Sequence, residues 1–247
     1  MTDATPPAAA VLRQVLAASI DLPVREALVV ESLAYSMLLA GPDFAAWRAG
    51  RPRREIPVPV APVLVERHGT DAREGGATLR VRLNVPERRN AFNRWVRNGV
   101  LEALELARLD EEIREVELTG AGPAFCAGGD LDEFGTATDV VAAHQVRVQA
   151  SAGLAIHDLR DRVRPVLHGA CVGAGIEVPA FAAHVRARRD AWFQLPEISM
   201  GLIPGAGGTV SIPRRIGVER TLEMALTGRR IDAPTALAWG LIDELSD

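Results

Sequence analysis

The chain has 247 residues, a formal charge of −4, 48% hydrophobic and 24% charged residues, enough for a real hydrophobic core. The acidic balance excludes broad recognition of a phosphate backbone, and no apolar run reaches the ~18 residues of a membrane span. Every basic residue is arginine, which excludes a Schiff-base lysine, a Walker lysine and a lysine general base.

Met1–Pro7 has neither a basic stretch nor an apolar one after it, so no signal peptide is expected and a cytoplasmic location is. Ala8–Ala18 and Val24–Leu39 read as helices, with Asp21-Leu22-Pro23 as the break between them. Gly41-Pro42-Asp43 ends the second and starts a short third around Phe44–Trp47. Arg51–Pro59 is too rich in proline for a helix interior or a central strand, and reads as an extended linker. Val63–Arg67 and Ala77–Leu83 read as strands joined by a turn over His68–Gly76; in the second, Leu79, Val81 and Leu83 alternate with Arg80 and Arg82. Phe92–Leu109 is an amphipathic helix and Val116–Thr119 a strand. Helices over about Val140–Leu159, a strand at Pro165–Gly169, a strand at Val185–Arg188 and a mostly helical remainder complete an α/β pattern. Cys126 and Cys171 are too few for a disulfide framework and lack metal-ligand spacing. They are expected to be small buried hydrophobes, and no metal is expected.

Three segments carry chemistry. Ala124–Leu131 contains Gly128-Gly129, where a missing Cβ lets backbone N–H groups approach a ligand; a plain strand-to-helix turn capped by Asp130 fits it as well. Gly173-Ala174-Gly175-Ile176-Glu177 meets a helix start, whose free N–H groups favour negative charge. Two such turns facing one pocket make a two-donor oxyanion hole. Leu195-Pro196-Glu197 follows Trp192-Phe193, which are candidate apolar walls that would push a carboxyl toward the neutral state a general acid needs. Taken alone, Glu177 also fits a helix-dipole partner and Glu197 a surface loop. Together, two N–H groups and two carboxylates are what proton transfer on an acyl thioester requires.

From Ala77 to Leu245 the chain resembles the crotonase (enoyl-CoA hydratase/isomerase) superfamily. The resemblance rests on Pro86–Asn93, Gly122–Leu131, His168–Glu177, Phe193–Gly208, Leu226-Thr227-Gly228 and Trp239–Asp243, in that order. It implies a ββα spiral core with helical appendages, assembled as homotrimers or hexamers. It further implies oxyanion-hole amides at Gly129 and Ala174, Glu177 activating water for attack at Cβ, and Glu197 protonating Cα. The implied reaction is hydration of a 2-enoyl-CoA, with double-bond isomerisation, thioester hydrolysis or a non-catalytic acyl-CoA-binding subunit as alternatives. Coenzyme A belongs to the substrate, and no other cofactor, nucleic acid or membrane is expected. Arg88 and Arg89 are candidate contacts to a CoA phosphate; Ala127, Asp130, Trp192 and Phe193 are candidate substrate contacts. Two departures from the family pattern bear on the pocket: Pro179, where the helix after Glu177 normally continues, and His184, where Asp is common.

The order of the parts departs as well. The family normally continues past its Gly-Leu-Ile-like segment into C-terminal helices that cover the active site. Here Ala9–Arg51 resembles those helices, through Ile20–Leu28 and Leu38–Phe44. A circular permutation is therefore expected, with residues 1–51 as the helical segment, 52–62 as the linker and 63–247 as the spiral core.

Overall fold

The computed structural model describes residues 6–69 and 76–246; most of the expected His68–Gly76 turn lies outside the described residues. Three helices come first: α1 (Pro7–Ser19), α2 (Val24–Leu39) and α3 (Pro42–Ala49). Proline stands at the N-terminal edge of each, where its fixed φ favours a helix start and its missing N–H costs nothing. The Pro/Arg-rich segment that follows is exposed and contains no helix or strand.

The core is built on two sheets. The larger contains β1 (Val63–His68), β2 (Ala77–Leu83), β3 (Ile113–Gly120), β4 (Val163–Leu167), β6 (Arg186–Arg188) and β9 (Glu244–Ser246), in the order β1-β2-β3-β4-β6-β9. Only the edge strand β1 runs antiparallel. The smaller contains β5 (Ala170–Val172), β7 (Trp192–Gln194) and β8 (Ile231–Asp232), with β5 and β7 parallel. After β4 the chain crosses to β5, and after β6 to β7, so successive turns of a spiral contribute to both sheets.

Local sequence explains the longer elements. In β2 the residues Ala77, Leu79, Val81 and Leu83 are buried, and the intervening arginines are exposed, the period-two pattern of a half-buried strand. In α4 (Arg94–Leu109) Val96, Val100, Ala103, Leu104 and Ala107 form one buried stripe. Its N-cap is Asn93, whose side chain accepts from the amides of Trp95 and Val96 at 3.1 Å each, which satisfies two otherwise orphaned donors. The helical stretch expected over Val140–Leu159 divides into α5 (Val140–Gln149) and α6 (Ala152–Asp158), because Ser151 caps a new helix through the Leu154 amide.

The N-terminal helices belong to the same core. Helices α1 and α2 pack on α8 (Gly208–Thr227), α2 also packs on α5, and α3 packs on the 3-10 turn Glu197–Met200. Cys126 and Cys171 face each other across an isolated bridge, both free and buried, and burial pushes the Cys126 thiol up to about 12. Among the described residues no group of acidic, histidine or cysteine side chains is arranged to hold a metal, and no single helix is long and apolar enough to cross a membrane.

Candidate active site

The two catalytic candidates leave neighbouring parallel strands. Val172 of β5 pairs with Gln194 of β7; the chain continues from one into α7 (Ala174–Glu177) and from the other through Leu195-Pro196 to Glu197. Strand pairing therefore brings together carboxyls twenty positions apart in sequence. A methyl group built on Gly173 would lie 2.5 Å from Glu197 Oε1 and 3.5 Å from Glu177 Oε1. The two oxygens are thus no further apart than the sum of those distances, with space between them kept open by a glycine at φ +49°.

The two glycine turns pack directly on one another. The Val172 amide donates to the Cys126 carbonyl at 3.0 Å, and a Cβ on Gly175 would fall 2.1 Å from that same carbonyl oxygen. Gly129 and Ala174 both line the cavity that contains Glu177 and Glu197. Among the described hydrogen bonds neither of their amides has an acceptor, so both N–H groups are available to a ligand oxygen.

Pro179 ends the helix instead of distorting it. Helix α7 stops at Glu177, and Pro179 starts a separate 3-10 turn, Pro179–Phe181. The Glu177 carbonyl accepts instead from Ser211 Oγ at 2.7 Å. His184 is away from the pocket, paired with Glu244 at 3.1 Å on the surface.

A third buried glutamate, Glu31 of α2, enters the site. The loop before α8 donates its amides alternately: Ala206 and Gly208 to Glu177 Oε2 at 2.8 and 2.9 Å, Gly207 to Glu31 Oε1 at 2.8 Å, and Thr209 to Glu31 Oε2 at 2.9 Å. The Thr209 hydroxyl adds a further bond to Glu31 Oε2 at 2.8 Å. One loop therefore clamps a carboxyl of the spiral core and a carboxyl of the N-terminal segment. Burial raises all three acids. Glu31 rises from 4.5 to about 7 against its three hydrogen bonds, and Glu197 from 4.5 to about 8, with the charge of Glu31 adding to the rise. Glu177 is raised by burial, then by the charges of Glu197 and Glu31, against the Ala206 and Gly208 amides that favour its carboxylate. Glu197 Oε2 is buried with no hydrogen-bond partner, which favours the neutral acid there. The hydrogen bonds of the pair are therefore unequal: two amides favour the carboxylate form of Glu177, and an unpartnered oxygen favours the neutral form of Glu197.

The cavity holds about 1300 Å³, and its apolar wall comes from Leu28, Tyr35, Phe92, Phe134, Val146 and Val178. The expected wall from Trp192 and Phe193 is not formed: Phe193 is fully buried in the core, and the Trp192 ring lies under the Arg230 guanidinium at 3.9 Å. Arg88 is likewise not free for a phosphate. Its guanidinium pairs with Asp130 at 2.7 and 3.2 Å and with Asp132 at 2.9 Å, which also holds Asp130 in the interior. Arg89 is exposed and its carbonyl accepts from the Ala127 amide at 3.0 Å; neither residue lines the cavity. Asn90 orders this turn instead: its side chain accepts from the Val85 amide and donates to the carbonyls of Ala121, Ala124 and Phe125.

Fold and site together define a two-sheet α/β spiral with two free amides and two buried carboxyls on one cavity. Comparison with known proteins makes this specific. The profile of the family described as Enoyl-CoA hydratase/isomerase matches residues 73–246, and the chain belongs to that family, within the crotonase superfamily. Solved structures agree. Enoyl-CoA hydratase from Thermoplasma volcanium is 29% identical over 74% of this chain and 72% of its own, with a TM-score of 0.65. Enoyl-CoA hydratase from Bacillus anthracis is 30% identical over 75% and 70%, with a TM-score of 0.66. DspI from Pseudomonas aeruginosa is 31% identical over 76% and 74%, with a TM-score of 0.67. The family match begins at residue 73, leaving the three N-terminal helices, and with them Glu31 and Tyr35, outside it.

Proposed function

We propose that the protein hydrates a 2-enoyl-CoA to a 3-hydroxyacyl-CoA. The observation that carries this reading is the unequal pairing of two adjacent buried carboxyls: Glu177 accepts from two amides, and Glu197 has an oxygen with none. A base and an acid stand side by side, as adding the parts of water across a double bond requires. In this reading the thioester oxygen accepts from the Gly129 and Ala174 amides, which draw electron density from Cβ. Glu177 removes one proton from water as its oxygen bonds to Cβ, and the enolate oxygen gains negative charge against the two amides. The Glu197 carboxyl then delivers its proton to Cα. Both groups approach from one side, so addition is syn, and a proton passing from Glu177 to Glu197 restores the starting state.

The N-terminal helices suit the role of a displaced active-site cover. They line the catalytic cavity through Leu28, Glu31, Tyr35 and Phe44, and the exposed proline-rich segment joins them to β1. This favours a circularly permuted member of the family; from family membership alone we also propose that it works as a homo-oligomer with no cofactor beyond the CoA of its substrate. The direct test follows the enoyl-thioester absorbance of 2-enoyl-CoA substrates of several chain lengths. Loss of the band with formation of 3-hydroxyacyl-CoA supports hydration. A shifted double bond, released free CoA, or no turnover at any length replaces it with isomerisation, hydrolysis or a binding role.

A further inference from the structure

Several charged side chains of the cavity have no part in this chemistry, and among them Arg147 stands beside the loop that holds Glu177. Arg147 of α5 lines the cavity together with Ser32 and Tyr35 of α2 and Ala143 and Val146 of its own helix. Its guanidinium lies over the Tyr35 ring at 5.2 Å. Nε donates to Ser32 Oγ at 3.1 Å, and Nη2 donates to the Ser32 carbonyl at 3.5 Å and to Ser36 Oγ. Every one of these acceptors is neutral. Among the described residues no carboxylate pairs with Arg147, and its Nη1 has no hydrogen-bond acceptor in the protein. That nitrogen is also absent from the buried, unpartnered atoms, so it is accessible, on a residue that lines the cavity.

A half-buried cation held by neutral groups is costly unless something anionic joins it. Burial works against its charge, with Tyr35 and Glu31 as the acids whose fields oppose that. Neither is a full counter-ion: burial raises the Tyr35 phenol, and Glu31 binds Gly207 and Thr209 through both oxygens and titrates near pH 7. The position of Arg147 points inward. The Tyr35 ring beneath it rests on Gly205, where a Cβ would come within 2.2 Å, and the next residue, Ala206, donates to Glu177. Arg147 is therefore one aromatic ring away from the loop that holds the catalytic base. A guanidinium presents a planar fork suited to a carboxylate.

We propose that the site takes acyl-CoA substrates whose acyl chain carries a carboxylate at its far end, with Arg147 as its partner. This rests on the acyl-CoA reading of the cavity and adds the class of acyl group. The test compares length-matched pairs at four, five, six and eight carbons on the intact protein. Binding of saturated, unreactive pairs, such as adipoyl-CoA against hexanoyl-CoA, is measured by titration calorimetry; kcat/KM is measured on the matching 2-enoyl pairs. The expected result is tighter binding of the carboxylate-ended member by about tenfold or more at one length at least, as a charge-assisted hydrogen bond provides. In Arg147→Gln that ratio falls to near one. Wild-type protein that binds the neutral member as well or better at every length overturns the proposal, as does a preference that survives unchanged in the variant. The two readings fail separately. A binding preference without turnover removes hydration and keeps the carboxylate, whereas equal turnover of both members keeps hydration and removes the carboxylate. Because the wild-type ratio needs no variant, a poorly folded Arg147→Gln leaves the test decisive.

Discussion

Replacing Glu31 by glutamine tests how the N-terminal segment is tied to the catalytic loop. Glu31 has a folded-state value of about 7 against 4.5 for an ordinary glutamate. Its folded value is raised, so its contribution to stability is fully present below pH 4.5 and is lost as pH climbs through about 7. A difference of that size corresponds to about 3 kcal/mol for a fully buried group. Glutamine cannot ionise, so it removes this pH dependence. It also turns an NH2 group toward one of the donors, Gly207 or Thr209, which costs roughly 1–3 kcal/mol at any pH. Glu31→Gln should therefore be less stable than wild type at pH 5, and the difference should move in the variant's favour by about 3 kcal/mol toward pH 9, enough to cancel or reverse it. For a chain of this size that change is a relative shift of roughly 6–12 °C in melting temperature. Thermal denaturation of both proteins across pH 5–9 reads it directly. Glu177 and Glu197 are raised in the same direction and add a decline to both proteins; the charge of Glu31 contributes to that rise, so their decline is smaller in the variant and adds to the difference between the two curves in the same sense. Parallel curves would refute the reasoning, because they would mean that Glu31 carries no charge cost in the folded state.

Glu177→Gln keeps the shape of the site but removes the base, and kcat should fall by roughly 10²–10⁴-fold with KM little changed, in steady-state enoyl-CoA kinetics. Gly173→Ala puts a methyl 2.5 Å from Glu197 Oε1 at a positive φ, so kcat should fall while acyl-CoA binding measured by calorimetry persists; an unaffected kcat would show that Glu197 is free to move aside. Arg88→Met leaves the interior Asp130 carboxylate without its guanidinium and should destabilise the protein by roughly 3 kcal/mol in urea denaturation. Its KM for acyl-CoA should change little, since Arg88 is held in the protein by Asp130 and Asp132.

Much of the fold was legible because the longer elements carry strong periodic signals. Helix α2 has the expected bounds, Val24–Leu39, and β2 the expected Ala77–Leu83. The smaller sheet was not legible: β5 and β7 have three residues each, too short for alternation to register. That sheet is what brings Glu177 and Glu197 together, so their meeting was accessible only through family motifs. Glu31 was missed because a glutamate inside a helix reads as a solvated side chain. One signal was present: Ala27, Leu28, Glu31 and Ser32 lie on one buried stripe, and a polar pair at core-facing spacing calls for partners from elsewhere in the chain. Arg147 gave no comparable sign, because an arginine in a short helix is unremarkable until its neighbours are known. Arg88 misled for the converse reason. Its motif position suggested a phosphate contact, but the acids that hold it, Asp130 and Asp132, lie over forty residues away.

The central claim is that Glu177 and Glu197 add the parts of water across a 2-enoyl thioester. The most direct measurement is the reaction of 2-enoyl-CoA substrates, neutral and carboxylate-ended, in D2O, with the product examined by mass spectrometry and proton NMR. The expected product is a 3-hydroxyacyl-CoA carrying a single deuterium at Cα, added on the same face as the hydroxyl, and formed roughly 10²–10⁴-fold more slowly by Glu177→Gln. Recovery of unlabelled substrate at every chain length, or deuterium delivered to the face opposite the hydroxyl, would contradict it.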